Sequence, residues 1–310
     1  MVEWILSRVG DILLALLVMV LTLWCLLTQP VLSFSSGDSP EIGMDPELLG
    51  SRLLEVASIA ETQADQQSRF DATSAYLAQH LSNAGVVNEA DRGENLHIIH
   101  LQMGDQRKRK LFIGLHYVVT ANKIHEIIQT ATSLVELTNL LAVQDKMDMQ
   151  LDMTIFLHKD GGRNPLYQSL ADASVYHVDQ LMLRRKADDI GLLFTPGLHI
   201  PSAVYSTDQW DYFDVLLPST RADLSVFSRL RDVWQLRGLK SALKAQGMSS
   251  INSLSIPVNF PGASDSPLKF YWERDFSVML VRPNALKIKN NYGSYIKLIS
   301  ALFGLIKGGD

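Results

Sequence analysis

One histidine ends the most apolar strand-like segment of the chain. The segment LFIGLHYVVTA (residues 111–121) begins with five residues that lack a polar side chain and then reaches His116 and Tyr117. An imidazole at the end of a buried strand is well placed to ligate a metal ion. The same position also suits a histidine that packs and hydrogen-bonds inside the core. The chemistry of the surrounding residues has to distinguish a metal site from a structural histidine.

Two aspartates follow other strand-like segments. Asp160 comes shortly after residues 151–157, and Asp179 directly after residues 174–178. Because polar groups at the carboxyl ends of parallel strands meet at one edge of a sheet, His116, Asp160 and Asp179 are predicted to converge there. Six other histidines are candidates for a rebuilt metal site, but none shows the HxH or HExxH spacing of metal ligands. They are His80, His97, His100, His125, His158 and His177.

Composition excludes several classes of function. The 310 residues are 47% hydrophobic and 20% charged, which allows a large core in one or two domains. The net charge of −5 argues against nucleic acid as a partner, and the basic run at residues 107–110 is interpreted as a solvated turn between strands. Cys25, the single cysteine, lies in the apolar N-terminus, so the rest of the chain offers no thiolate nucleophile or zinc ligand. No G-x-S-x-G elbow, P-loop or G-x-G-x-x-G motif is present.

Helical and strand-like patterns alternate along most of the chain. This alternation predicts an α/β fold, a three-layer sandwich around a mixed, mostly parallel central sheet. Residues 184–265 are less regular and are interpreted as an insertion. The predicted helices cover residues 46–59, 70–83, 127–143, 165–173, 224–245 and 292–307. The predicted strands cover residues 95–103, 110–119, 151–157, 174–178 and 276–281.

The N-terminus contains a long apolar run. Residues 12–27 carry no charge, and about 23 residues from Val9 onward would span a hydrocarbon core of about 30 Å. We therefore predict a cytoplasmic stub and transmembrane helix at residues 1–34, a linker at 35–46 and the α/β domain at 47–310. Arg8 before the run and the acidic residues after it place the N-terminus in the cytoplasm and the body in the periplasm or another extracytoplasmic space. A cleaved signal peptide is the alternative, although the run is longer than usual and a good cleavage site is missing.

The order of these elements resembles that of the zinc-dependent aminopeptidases of the M28 family. The resemblance covers about residues 47–307 and rests on order and spacing. The segments that carry it are FDATSAYLAQHLSNAGV (70–86), LFIGLHYVVTA (111–121), TATSLVELTNLLAV (130–143), MTIFLHKDGGRNPLYQSLAD (153–172) and FYWERDFSVMLV (270–281). The family resemblance implies two zinc ions, a carboxylate that bridges them and a glutamate base that activates water.

The resemblance also indicates that most of the family's metal site is missing. His116 matches the first ligand and Asp179 a later one, but Val118 occupies the position of the aspartate that orients the histidine. The bridging aspartate falls near Ile128, which cannot bind a metal ion.

The family's glutamate pair falls on Gly162 and Arg163, with Asp160 as a possible substitute. Tyr292 is followed by Gly293, where the family has its last ligand histidine. Two surviving ligands are fewer than the three that protein zinc sites require, so we expect no metal or other cofactor and no catalytic residue.

These observations predict a membrane-anchored, non-catalytic peptidase-like module that binds a peptide or protein partner. Its cleft at the strand ends would be lined by Arg163, Tyr117 and Tyr292, and the arginine would contact an anionic group. One alternative is an active zinc aminopeptidase whose ligands are rearranged. Another is an assembly subunit of a membrane complex, in which the anchor and the helix at residues 224–245 make the contacts.

Overall fold

The computed structural model describes eight α-helices, one short 3-10 helix and eight strands. The described residues are 2–28, 46–63, 65–120, 125–160, 163–196, 224–246, 248, 251–260, 263, 266–283 and 293–307. The helices are α1 (Val2–Thr28), α2 (Pro46–Thr62), α3 (Gln66–Ser82), α4 (His125–Ala142), α5 (Arg163–Met182), α6 (Val233–Ala245), α7 (Leu268–Glu273) and α8 (Gly293–Lys307). The strands are β1 (Val87–Asp91), β2 (Leu96–Met103), β3 (Arg109–Val119), β4 (Met149–Lys159), β5 (Ile190–Phe194), β6 (Leu224–Arg229), β7 (Ile251–Ile256) and β8 (Ser277–Pro283).

The described strands form one mixed sheet in the order β1-β2-β4-β3-β5-β8-β6-β7. β3 pairs in parallel with β4 and β5, β5 with β8, and β6 with β7. The pairings of β1 with β2, β2 with β4 and β6 with β8 are antiparallel. The prediction of a mixed, mostly parallel central sheet is therefore confirmed. The inner strands β3 and β4 are buried along nearly their whole length, as expected for strands covered on both faces.

Helices cover both faces of the sheet. On one face, α2, α3, α4, α6 and α8 pack with the inward residues of the strands into the largest apolar cluster. On the other face, α5 and α7 cover a smaller core that includes Phe112, Leu193 and Trp272. α4 is buried on all sides from Ile127 to Thr138, between the sheet and neighbouring helices, whereas α8 buries mainly one side.

Two predicted elements have a different structure. Residues 174–178 are not a strand, because α5 continues through them to Met182. The buried residues of α5 recur at helical spacing, but several of them are small or polar and so masked the period; they are Ser169, Leu170, Ala173, Ser174, His177, Val178 and Leu181. The predicted helix at residues 224–245 begins as strand β6, in which every residue is buried, passes through a short 3-10 helix at Leu230–Asp232 and becomes α-helical at Val233.

The segment predicted to be irregular supplies three strands of the sheet, β5, β6 and β7. β5 has only five residues, and β1 is largely exposed, so neither has a pattern long enough to identify from sequence. The sequence between β5 and β6, residues 197–223, lies outside the described residues.

The apolar N-terminal run forms α1. Apolar side chains between Ile12 and Trp24 are exposed along it. Within the part of the chain that the structure describes, no helix has both the length and the apolar character needed to cross a membrane. The predicted linker lies outside the described residues except for Pro46, which begins α2.

Candidate functional site

His116 lies in a buried chain of hydrogen bonds between the sheet and α5. The residue is on β3, is 0% exposed, and its Nδ1 is 2.9 Å from Nε2 of His158 on β4. Nδ1 of His158 is in turn 2.7 Å from the hydroxyl of Ser169 on α5, which donates to the carbonyl oxygen of Asn95 at 3.3 Å. His116 on β3 is thus linked to β4 directly and to α5 through His158.

The protonation state of the chain follows from burial. Burial lowers the pKa of His158 to about 3, and burial with the nearby His158 and His177 lowers the pKa of His116 well below its ordinary value. Both imidazoles are therefore neutral near pH 7. Because Ser169 donates to a carbonyl, its oxygen accepts from Nδ1–H of His158, and Nε2 of His158 accepts from Nδ1–H of His116. Nε2 of His116 then carries a lone pair, and it is buried without a hydrogen-bond partner.

The residues around His116 do not fit a zinc site. Its Nε2 lone pair is the type of donor atom that binds a metal, but among the described side chains no group of three or more His, Cys, Asp or Glu residues is arranged to hold one. The opposite nitrogen of His116 contacts a neutral imidazole and not the carboxylate that usually orients a metal-binding histidine. Within the described part of the chain, His116 therefore has the geometry of a structural histidine.

The structure does not bring the two predicted aspartates together with His116. Asp179 does not end a strand; it lies on the exposed side of α5, where its Oδ1 is 3.6 Å from Arg274 Nη1. Asp160 follows β4 and is exposed, and its backbone carbonyl accepts a hydrogen bond from Gln66. The predicted convergence at strand ends failed for Asp179 because the segment before it is helical.

The predicted cleft residues are only partly described. Tyr117 is buried in the apolar cluster on the α4 side of the sheet, and burial raises the pKa of its hydroxyl. Arg163 begins α5 shortly after β4 ends, but its side chain lies outside the described atoms. Tyr292 also lies outside the described residues. A binding role for these residues stays a prediction.

A second polar group, which the sequence analysis missed, lies on the α5 side of the sheet. We call it the sheet-face cluster: His100 and Gln102 of β2, Lys110 of β3 and Asp152 of β4. Asp152 is 3% exposed, and its two carboxylate oxygens lie 2.8 Å from His100 Nε2 and 2.9 Å from Gln102 Nε2. Lys110 Nζ is 3.7 Å from Asp152 Oδ2. The antiparallel register sets Gln102 directly opposite Asp152, so both side chains face the same way.

Electrostatics keeps this carboxylate charged. Burial raises the pKa of Asp152, but the hydrogen bond from His100 and the electrostatic interactions with His100, His177 and Lys110 outweigh burial and lower it to about 2. Asp152 is therefore an anion at every physiological pH. A buried charge of this kind is stable only with the close donors that the cluster supplies.

His177 of α5 is buried beside the sheet-face cluster. Its Nδ1 is 2.7 Å from the Tyr271 hydroxyl of α7, and its Nε2 is 3.4 Å from Thr154 Oγ1 of β4. Burial lowers the pKa of His177 to about 4, against the opposing effect of Asp152. The imidazole is thus neutral near pH 7 and links α5, α7 and the sheet.

One signal in the sequence points to this second group. Lys110 and Asp152 are charged residues at the beginning of two otherwise apolar strands. The interpretation of residues 107–110 as a solvated turn is wrong for Lys110, which is 2% exposed. A lysine next to an apolar strand is equally compatible with a turn and with a buried ion pair, and only the strand register distinguishes the two.

Comparisons with known proteins identify the fold. No protein-family model and no curated protein matches the chain. Among solved structures, a Fimbriiglobus ruber glutaminyl cyclase matches with a TM-score of 0.56 and 11% identity over 90% of this chain and 100% of its own. The Legionella pneumophila LapA aminopeptidase matches with a TM-score of 0.55 and 8% identity, over 91% of this chain and 78% of its own. The Porphyromonas gingivalis glutaminyl cyclase matches with a TM-score of 0.54 and 9% identity, over 84% of this chain and 96% of its own. The chain therefore has the α/β fold that these glutaminyl cyclases and the aminopeptidase share.

Proposed function

We propose that the chain is a non-catalytic relative of the M28 zinc aminopeptidases that acts as a membrane-attached binding module outside the cytoplasm. The observation that carries this proposal is the hydrogen-bond chain of His116, His158 and Ser169. His116 occupies the first ligand position of the family, yet one of its nitrogens is committed to His158. The other nitrogen has no described ligand partner with which to share a metal ion.

The position of Asp179, the second ligand residue retained in the sequence, supports the same proposal. Asp179 faces outward from α5 and lies near Arg274, on the surface away from the His116 chain. Neither candidate ligand from the sequence is therefore positioned to help His116. A fold kept with a dismantled site is consistent with binding, and the strand-end region beginning at Arg163 would contact an anionic group of a peptide or protein partner.

Membrane attachment is inferred from the N-terminal run. Residues 12–27 are uncharged, and large apolar side chains along α1 are more than half exposed. An exposed apolar surface of this extent marks a membrane or protein interaction site. The orientation, with the body outside the cytoplasm, rests on Arg8 and the acidic residues after the run.

Zinc content and peptidase activity test the non-catalytic assignment. We expect purified full-length protein to contain well below one zinc ion per chain and to release no nitroaniline from leucyl-nitroanilide, with or without added zinc. Neither His116→Gln nor the matched control His97→Gln, at a partly exposed position of β2, should change either result. Stoichiometric zinc, or hydrolysis that a chelator and His116→Gln abolish but His97→Gln does not, would show that the chain is an active zinc aminopeptidase instead.

A further inference from the structure

A pocket opens onto the sheet-face cluster, apart from the strand ends. Its volume is about 270 Å³, and it lies between the sheet and the second half of α5. Lys110 is six residues before His116 on β3, so the Lys110 end of the pocket is about 20 Å from His116 along the strand, whereas His177 at the other end is separated from His116 by the ring of Phe156. The pocket is therefore distinct from the site that the proposed function concerns and does not depend on that function.

The pocket floor holds a buried ammonium group with unused hydrogen-bond donors. Lys110 lines the pocket and is 2% exposed. The nearest described carboxylate oxygen, Oδ2 of Asp152, is 3.7 Å from its Nζ, beyond the distance of a good hydrogen bond. An ammonium has three donors, and leaving them unsatisfied in a buried site is unfavourable. A ligand with acceptor oxygens would satisfy them.

The carboxylate beside Lys110 and the carbonyl oxygens at the end of α5 already accept hydrogen bonds. Asp152 is the only carboxylate among the described lining residues, and its two oxygens accept from His100 and Gln102. The carbonyl oxygens of Gln180 and Leu181, at the end of α5, accept from backbone N–H groups. Among the described lining residues, the single carboxylate of Asp152 faces two cations, Lys110 and Arg184, and this excess of positive charge disfavours a cationic ligand.

The residues at the rim and walls of the pocket also favour a small anionic ligand with an apolar part. Arg184 is exposed at the rim and forms no ion pair with any described carboxylate, so it adds a second positive charge. Leu181, Leu183 and the ring of Tyr176 supply apolar surface between rim and floor. The volume is below that of typical pockets for drug-sized ligands and suits a molecule of a few carbon atoms.

We propose that this pocket binds the carboxylate of a small organic acid, with the Lys110 ammonium as the charged donor at its floor and Arg184 as the cation at its rim. The short carbon body of the acid packs against the leucines of α5 and the loop that follows it. A charge-assisted hydrogen bond from the ammonium to the carboxylate is the main source of affinity.

Three probes of equal size and different charge test the proposal. Butyrate, butyramide and n-butylammonium are titrated against the full-length protein in detergent, and binding is followed by ligand-observed NMR. We expect saturable binding of butyrate and at least tenfold weaker binding of the other two probes. Binding of n-butylammonium or butyramide as tight as that of butyrate overturns the proposal, as does the absence of saturable butyrate binding.

Variants assign the binding to this pocket. Lys110→Met should weaken butyrate binding roughly tenfold, and Arg184→Gln about threefold, because the rim charge is exposed and screened. The matched control Lys269→Met removes an exposed lysine of α7 and should leave the affinity unchanged. If Lys110→Met does not fold, as judged by circular dichroism, Arg184→Gln decides the result. Butyrate affinity that is the same in wild type and Arg184→Gln, or in wild type and folded Lys110→Met, contradicts the proposal.

Discussion

At the scale of single residues, the described part of the chain buries several titratable groups in defined protonation states. His116, His158 and His177 are neutral in the folded state because burial disfavours the imidazolium. Asp152 is charged because close donors offset its burial. Each group therefore makes the stability of the fold depend on pH, and the direction of that dependence differs between the histidines and the aspartate.

The buried histidines predict a loss of stability in mild acid. The pKa of His177 is about 4 in the folded chain and 6.5 in the unfolded one, so between these values the unfolded chain binds a proton that the folded chain excludes. Stability must then fall as pH falls from 6.5 to 4, and the contribution of His177 is about 2 kcal/mol between pH 7 and 5. Urea unfolding at these two pH values, followed by tryptophan fluorescence, measures the difference.

The variant His177→Gln should reduce that pH dependence, because glutamine does not titrate. The control Thr154→Val keeps the imidazole and removes only its 3.4 Å contact with the hydroxyl, so it should retain the wild-type difference. An equal pH dependence in His177→Gln and wild type would refute the assigned shift. The Asp152 contribution is present above about pH 4 and is lost only as pH falls toward 2, so it does not affect this window.

At the scale of elements, a single arginine joins β6 to the turn between α7 and β8. Arg229 is buried at the end of β6, and its guanidinium donates to Asp232 in the following turn at 2.8 Å. It also donates to the carbonyl oxygens of Phe276 at 2.7 Å and Trp272 at 3.3 Å. Trp272 belongs to α7 and Phe276 follows that helix, so these hydrogen bonds fix the position of α7 against the sheet.

We predict that Arg229→Met destabilises the protein by roughly 3–5 kcal/mol, because it leaves the buried Asp232 carboxylate without its main partner. The control Arg231→Met removes an exposed guanidinium that pairs with Asp275, and should cost less than about 1 kcal/mol. Urea denaturation of the two variants beside wild type measures both free energies of unfolding. Similar losses in the two variants would show that the buried position of Arg229 is not what matters.

At the scale of the whole molecule, the described body is built around one sheet. Helix α1 differs from this body in the exposure of its large apolar side chains. Most large apolar side chains of the described body are buried, and its exposed ones are scattered, whereas those described along α1 are exposed in succession. The cost of exposing this surface to water favours a partner for α1, and the proposed partner is a lipid bilayer.

Full-length protein is expected to co-sediment with neutral phosphatidylcholine vesicles at both low and high salt, because apolar contact is not screened by ions. Leu14→Arg with Leu17→Arg should reduce this partitioning more than a hundredfold, since each buried charge costs about 3 kcal/mol in a bilayer. Leu54→Arg, at an exposed position of α2, is the control and should sediment like wild type. Protein that stays in the supernatant, or a double variant that sediments fully, would exclude attachment through α1.

The sequence by itself determined the α/β class and the elements with the longest patterns. The apolar runs of β3 and β4 and the helical spacing of α4 and α8 are local, and their burial requires little knowledge of partners. It also indicated that His116 lacks the companion ligands that the M28 resemblance implies, because the residue types at the matching positions are visible in the chain. The structure gives this histidine a hydrogen-bonded place in the core.

Only the tertiary structure decided which polar groups meet. The sequence predicts a helix for the first half of α5 but a strand for its second half, because the buried face includes serine, alanine and histidine, whose burial depends on the sheet beneath them. Lys110 and Asp152 are 42 residues apart, and they come together only through the parallel pairing of β3 with β4. A shift of one residue in that register would turn one of the two side chains to the opposite face, and no local pattern specifies the register. The sheet-face pocket therefore depends on the strand pairing of the folded sheet, which the sequence alone does not specify.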